Sequence, residues 1–429
     1  MPFKKTIVET TQTNAQLESE KKGSFSAEGL NESNVKSFEV AKLTPQQEKD
    51  MQAKIQSQTS QVEQHTKQTL NENAKRKRSK PEDYKLSMPK LEDIPKPTDQ
   101  MTVVDDEIAK QVIVKIWDCL CYNEWYPFFT QQTLQETVNR ATRHNYRMLM
   151  ELYNIPTIDA ATDLAVLCLV DVVIVGDDSS SMLTTGNRYF TGEVHKTEDF
   201  EEGEGSNNNM SRWDLLGLLI QVGSFVTTLF DSDGISVRFL NKDHRQSAVK
   251  MDNVASAKDV KSIFTEVKPN GGTLMGGTLI KVFEELVEPK LTKQSLSKPV
   301  LVWVVTDGQS GDDVTQAIRM IRKCTKKSKY GSRAMLFSFS QVGNDANATK
   351  ALKDMDEDDD PPSGPEEGAG DITDCTSCYK IEKQEYDEAQ KLKSLEERVP
   401  YTEYFHLIKT YVGPMLAKYD KADETKKTK

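Results

Sequence analysis

The sequence predicts a three-layer, doubly wound α/β domain, preceded by a helical extension and a disordered arm. Three observations carry that expectation. From residue 164 onward, apolar runs rich in Val, Ile and Leu alternate with amphipathic patterns of helical length, the grammar of a parallel sheet covered by helices. Between residues 101 and 160, apolar side chains recur at three- and four-residue spacing instead. Before residue 100 there is almost nothing to bury: of 15 Phe, 13 Tyr and 4 Trp, only Phe3, Phe25, Phe38 and Tyr84 lie there.

The first hundred residues are rich in Gln, Lys, Ser and Asn, and the hydrophobic content of the whole chain is 36%. A segment of that composition cannot bury enough apolar surface to offset the entropy of ordering it, so residues 1–100 are expected to be disordered. The net charge of −11 argues against non-specific nucleic-acid binding, which needs clustered positive charge. One basic cluster exists, Lys75-Arg76-Lys77-Arg78 with Lys80 beside it. It is a candidate nuclear-import signal or anionic-lipid contact, with a solvated charge run as the plainer reading. Six cysteines (Cys119, Cys121, Cys168, Cys324, Cys375, Cys378) are too scattered for a small disulfide framework. The N-terminus lacks the apolar run of a secretory signal, and no stretch reads as the roughly 18 apolar residues of a membrane span. A cytoplasmic protein is expected.

The elements follow in order. Val112, Ile113, Ile116, Trp117 and Leu120 mark an amphipathic helix beginning near Asp105. Thr133-Leu134-Gln135-Glu136 reads as a capping box opening a second helix, which Pro156 ends. The nearly unbroken apolar stretch from Leu164 to Val175 reads as a strand buried on both faces. Further strands are expected at Ile235–Leu240, Val300–Val305 and Ala334–Ser340, and helices at Trp213–Phe230, Ala257–Val267, Thr278–Val287 and Asp312–Lys326. Residues 354–370 read as an acidic surface loop. An EF-hand is excluded there, because Asp359 or Pro361 falls where the calcium loop needs Gly. The expected organisation is therefore an arm at 1–100, a helical extension at 101–160 and an α/β domain at 161–424, with acidic inserts at 183–210 and 354–370.

The residues that carry chemistry stand where strands end. The first strand runs out as Gly176-Asp177-Asp178-Ser179-Ser180-Ser181, and a later one as Thr306-Asp307-Gly308. In an open doubly wound sheet, ligands bind beyond the carboxyl ends of the strands. Asp177, Ser179 and Ser181 are spaced two apart, so their oxygens can converge. Carboxylates and hydroxyls are hard ligands, suited to Mg²⁺ or Mn²⁺ and poorly suited to zinc or copper. Few charges around such an ion leave it electrophilic, so it gains from an acidic group supplied by a partner. Taken alone, the Asp and Ser residues also fit a capped turn. Cys375 and Cys378 lack a second pair or a nearby His and do not make a zinc site.

These motifs resemble the von Willebrand factor A family, whose metal-ion-dependent adhesion site is written Asp-x-Ser-x-Ser, then a Thr, then an Asp. Asp177, Ser179 and Ser181 match the first element. Thr273, in Gly271-Gly272-Thr273-Leu274-Met275-Gly276, matches the second, and Asp307 the third. The sequence is most similar to intracellular A-domain proteins of the fungal type. That likeness is carried by Leu229-Phe230-Asp231-Ser232-Asp233-Gly234, by Ser340-Gln341-Val342-Gly343-Asn344-Asp345 and by Asp374-Cys375-Thr376-Ser377, over roughly residues 125–424. Ser180 departs from the family's Gly, which matters only if its φ must be positive. The resemblance implies a Rossmann-like A domain. It also implies a site holding Mg²⁺, or Mn²⁺, at Asp177, Ser179, Ser181, Thr273 and Asp307. The function expected is metal-dependent binding of a protein partner that presents an Asp or Glu, without catalysis. A metal-independent scaffold with a vestigial site is the first rival. A Mg²⁺-dependent phosphoryl-transfer enzyme is a weaker one, since Ser179 stands where a second Asp would be needed.

Overall fold

In the computed structural model, the structure describes residues 79–95, 105–184, 210–231, 233–358, 372–391, 400–416 and 419. All of them belong to one unit, Arg76–Lys429. At its centre lie five strands: β1 (Asp171–Gly176), β2 (Ser236–Phe239), β3 (Val300–Thr306), β4 (Met335–Gln341) and β5 (Thr373–Thr376). Every pairing is parallel, and the order across the sheet is β2-β1-β3-β4-β5. All seven residues of β3 are buried, as are all seven of β4; β3 carries a continuous apolar run, while β4 buries Ser338 and Ser340 with their hydroxyls hydrogen-bonded to the Thr410 carbonyl and the Trp303 indole. The order places the chain reversal between β1 and β3, and that reversal opens a crevice at their carboxyl ends.

The helices in chain order are α1 (Asp106–Tyr122), α2 (Gln131–Ala141), α3 (Tyr146–Leu152), α4 (Ile158–Asp163), α5 (Arg212–Phe230), α6 (Ala257–Glu266), α7 (Met275–Val282), α8 (Glu288–Thr292), α9 (Val314–Lys326), α10 (Ala346–Asp358), α11 (Tyr379–Gln390) and α12 (Glu403–Val412). α1 starts where the sequence places it: the Asp105 carboxylate caps it by accepting from the amides of Glu107 and Ile108. By length and apolarity α5 is capable of crossing a membrane, with a mean hydropathy of 1.5, although no such stretch is expected from the sequence. Twelve of its residues, from Trp213 to Phe230, are buried in the domain core.

Several elements differ from the sequence expectation. The apolar run at 164–175 is two elements: a 3-10 turn over Leu164–Leu169, then β1. Burial on all sides makes the two indistinguishable by composition. The second helix is capped three residues earlier than expected, by Thr130, with Thr133 as the reciprocal partner. It ends at Ala141, and α3 begins separately after Asn145. Asp354–Asp358 is helical, continuing α10 instead of opening the acidic loop; the rest of that loop, 359–371, lies outside the described residues. Within the expected disordered arm, residues 79–95 form two short 3-10 turns that bury Leu86 and Ile94, and Ser87 is held by Gln131 of α2. Residues 1–78, with the basic cluster apart from Lys80, lie outside the described residues.

The helical extension is locked to the sheet by buried polar contacts. Trp125 donates its indole N–H to the Arg333 carbonyl, and the Arg333 guanidinium donates to the Asn123 amide oxygen and the Pro414 carbonyl. Lys115 of α1 pairs with the fully buried carboxylate of Asp163 at 2.7 Å. All six cysteines are free thiols.

Candidate metal centre

The last residue of β1, Gly176, sits beside Val305 of β3, and the Asp177 amide donates to the Val305 carbonyl at 2.9 Å. Asp177 and Asp307 are thereby brought to the same crevice, each just past the end of its strand. Both are almost completely buried. The Asp177 carboxylate accepts from the Ser179 amide at 2.8 Å and from the Thr306 hydroxyl at 2.6 Å. The hydroxyls of Ser179 and Ser181 lie 3.0 Å apart, and Ser181 donates to Asp307 Oδ1 at 2.9 Å. Four of the five sequence-predicted residues thus form one hydrogen-bonded cluster.

Thr273 joins through its backbone. Its carbonyl accepts from Gly311 at 2.7 Å, which ties its loop to the segment after Asp307, while its hydroxyl is 4.0 Å from where a Cβ on Gly308 would stand. The loop is held from the other side as well: the Asn270 amide donates to the Asp178 carbonyl, and Ser180 donates to the Gly271 carbonyl. Gly271 has φ of +102°, and a Cβ there would lie 2.5 Å from the Asn241 amide oxygen, so both shape and space require glycine. Ser180 is absent from the positive-φ residues, so its departure from the family's Gly costs nothing.

Three further residues complete the frame; of these, the sequence reading sets only Asp178 aside, as facing solvent or a neighbouring loop and not the ion. Asp178 turns away from the cluster and accepts from the Asn241 and Lys242 amides and the Asn241 side chain. Asp312 caps α7 from another loop, accepting from Gly276 at 2.9 Å and Gly277 at 2.7 Å. Arg212, the first residue of α5, pairs with Asp307 Oδ2 at 2.5 Å. Nothing in the local sequence signals the Asp312 and Arg212 contacts.

Burial pushes the Asp177 carboxyl above its usual range. The neighbouring Asp307 charge acts the same way, against the hydrogen bonds from Ser179 and Thr306. No Lys or Arg pairs with Asp177 among the described residues. This buried, cation-free carboxylate, set among hydroxyl oxygens, suits a hard divalent ion: the donor set is all oxygen, with two carboxylates.

A second acidic cluster stands at the opposite end of the strands. Asp171, Asp231 and Asp233 bring carboxylate oxygens within 4.8 Å of one another. A cation is already present there: the Lys298 ammonium is 2.9 Å from Asp231 and 3.8 Å from Asp171. Burial still pushes the Asp231 carboxyl up to about 7, helped by its hydrogen bond with Asp233 and opposed by Lys298.

No protein-family model and no curated protein matches the sequence. Among solved structures, the chain is similar to the manganese-loaded TRAP protein of Plasmodium vivax, at 14% identity and a TM-score of 0.28, over 50% of this chain and 71% of that one.

Proposed function

We propose that the chain is a von Willebrand factor A-type interaction module. Asp177, Ser179, Ser181, Thr273 and Asp307 hold Mg²⁺ or Mn²⁺, and the site binds a protein partner through an Asp or Glu of that partner. One observation carries the reading: among the described residues the buried Asp177 carboxylate has no cation of its own, and it sits at the switch point of a parallel sheet, hydrogen-bonded into a cluster of hydroxyls with a second buried carboxylate. When bound, the ion supplies an electrophilic point for an incoming carboxylate. The residues around it supply the rest of an interface. Leu183, Leu274 and Met210 are 61%, 51% and 42% exposed, and each lies within two residues of Ser181, Thr273 or Arg212. Exposed apolar side chains next in sequence to the site suit an acidic side chain carried on a segment with apolar neighbours.

The role proposed is recognition, with no bond broken. A metal-independent scaffold is the second reading, favoured by the Arg212–Asp307 pair, which already neutralises one carboxylate. Titration of Mg²⁺ and Mn²⁺ by calorimetry, with thermal unfolding in ion and in chelator, separates the two. A ligand that binds only the folded state raises stability by about 2.7 kcal/mol at one hundred times its Kd. The metal reading requires saturable binding by the parent and none by Asp177→Ala. Identical unfolding curves in ion and chelator would leave the scaffold.

A further inference from the structure

Arg212 occupies a position that its own helix opposes. It is the first residue of α5, a 19-residue helix capped by Ser211, whose hydroxyl accepts from the Asp214 amide while the Asp214 carboxylate accepts from the Ser211 amide. The amino end of a helix carries partial positive charge, so a cation there is disfavoured. Three contacts keep it in place. Its amide donates to the Thr184 carbonyl at 3.0 Å. Its guanidinium holds Asp307, whose side chain is fully buried. Gly343, in the loop after β4, has φ of +86°, and a Cβ on it would come within 2.7 Å of Arg212 Nε. The loop thus leaves room for the guanidinium and nothing more. Among the described residues, Arg212 Nε is buried without a hydrogen-bond partner, and the bond to Asp307 is what holds the guanidinium.

We propose that Arg212 is a tethered counter-cation for Asp307, and that a divalent ion entering the site competes with it for that carboxylate. The inference rests on the metal reading above and deepens it. Without an ion, Asp177 and Asp307 would stand together as two buried carboxylates in one crevice; Arg212 neutralises one and leaves Asp177 available. With an ion, Arg212 is a like charge next to it, which weakens metal binding and leaves the site with more positive charge than its two carboxylates cancel. The ion is then held weakly, and an acidic partner is attracted strongly. The guanidinium also presents donors that an incoming carboxylate can accept from.

The test uses the full chain and Mn²⁺ alone, measured by calorimetry, with thermal unfolding in chelator as a readout that needs no ion. Arg212→Gln is expected to bind Mn²⁺ more tightly than the parent by about tenfold or more, because a fixed like charge has been removed, and to unfold at a lower temperature in chelator. Arg212→Lys, which keeps the charge but loses the fork, is expected to fall between the two and serves if the Gln variant does not fold. Parent and variants binding Mn²⁺ with equal affinity would overturn the counter-cation role while leaving the metal site standing. If neither parent nor variants bind Mn²⁺, the metal reading fails and this inference fails with it.

Discussion

The two ends of the sheet set up the same problem and solve it differently. At the amino end, Asp171 and Asp231 face Lys298, whose ammonium reaches both. At the carboxyl end, among the described residues, Arg212 pairs with Asp307, and Asp177 is held by neutral donors from Ser179 and Thr306. Counting acidic residues ranks the amino-end cluster higher, since three carboxylates converge there. Burial raises both Asp231 and Asp177, so neither carboxylate has its desolvation cost fully met. The two ends differ in that an ammonium already stands at the amino end, where an entering cation would meet a like charge, while Asp177 has only neutral donors.

The largest effect that can break this comparison is on ion binding. Asp177→Ala is expected to weaken Mn²⁺ binding by more than the roughly 10–100-fold that outer-shell changes cost, with the fold retained by circular dichroism. Asp231→Asn is expected to leave Mn²⁺ affinity unchanged. If calorimetry finds the reverse pattern, the amino-end cluster is the metal site.

Next in size is the pair at the amino end. Lys298→Met leaves Asp231 buried without its ammonium, and urea denaturation at pH 8 should show a loss of about 2–4 kcal/mol. At pH 5 the loss should shrink, because Asp231 can then take up a proton. An equal loss at both values would mean that Asp231 does not titrate between them.

An effect of comparable size separates the carboxylates by pH. The Asp231 carboxyl is raised from 3.8 to about 7 in the folded state. A raised value means that the folded state binds the proton more tightly. The stabilisation is full below about pH 4 and is lost as pH rises through about 7, with a slope of at most about 1.4 kcal/mol per pH unit. Asp231→Asn should flatten that slope; a parent curve that is already flat over this window contradicts the assignment.

The smallest effect concerns the acidic insert. Its residues 185–209 lie outside the described residues, but its ends are joined beside the site, where the Arg212 amide meets the Thr184 carbonyl. A tethered carboxylate has an effective concentration in the millimolar range. If Glu198, Glu201, Glu202 or Glu204 acts as an internal pseudo-ligand, replacing 190–208 by a short Gly-Ser linker should tighten Mg²⁺-dependent binding of an acidic peptide severalfold. Unchanged affinity in fluorescence anisotropy would show that the insert does not compete.

What was legible in the sequence follows from what local chemistry controls. The β-branched runs of β1 and β3 announced a sheet buried on both faces, because such strands need no polar alternation. Asp105 announced the start of α1, because a cap acts within three residues. Asp177, Ser179 and Ser181 were legible as one element for the same reason, since they share a single turn. The run at 164–175 was not, because a buried 3-10 turn and a buried strand draw on the same side chains. Only the tertiary structure decided that Asp312 caps α7, which loop Asp178 braces and that Arg212 holds Asp307 across 95 residues of chain. Those contacts depend on where the β1–β3 reversal carries the loops, and no spacing within the chain encodes that distance.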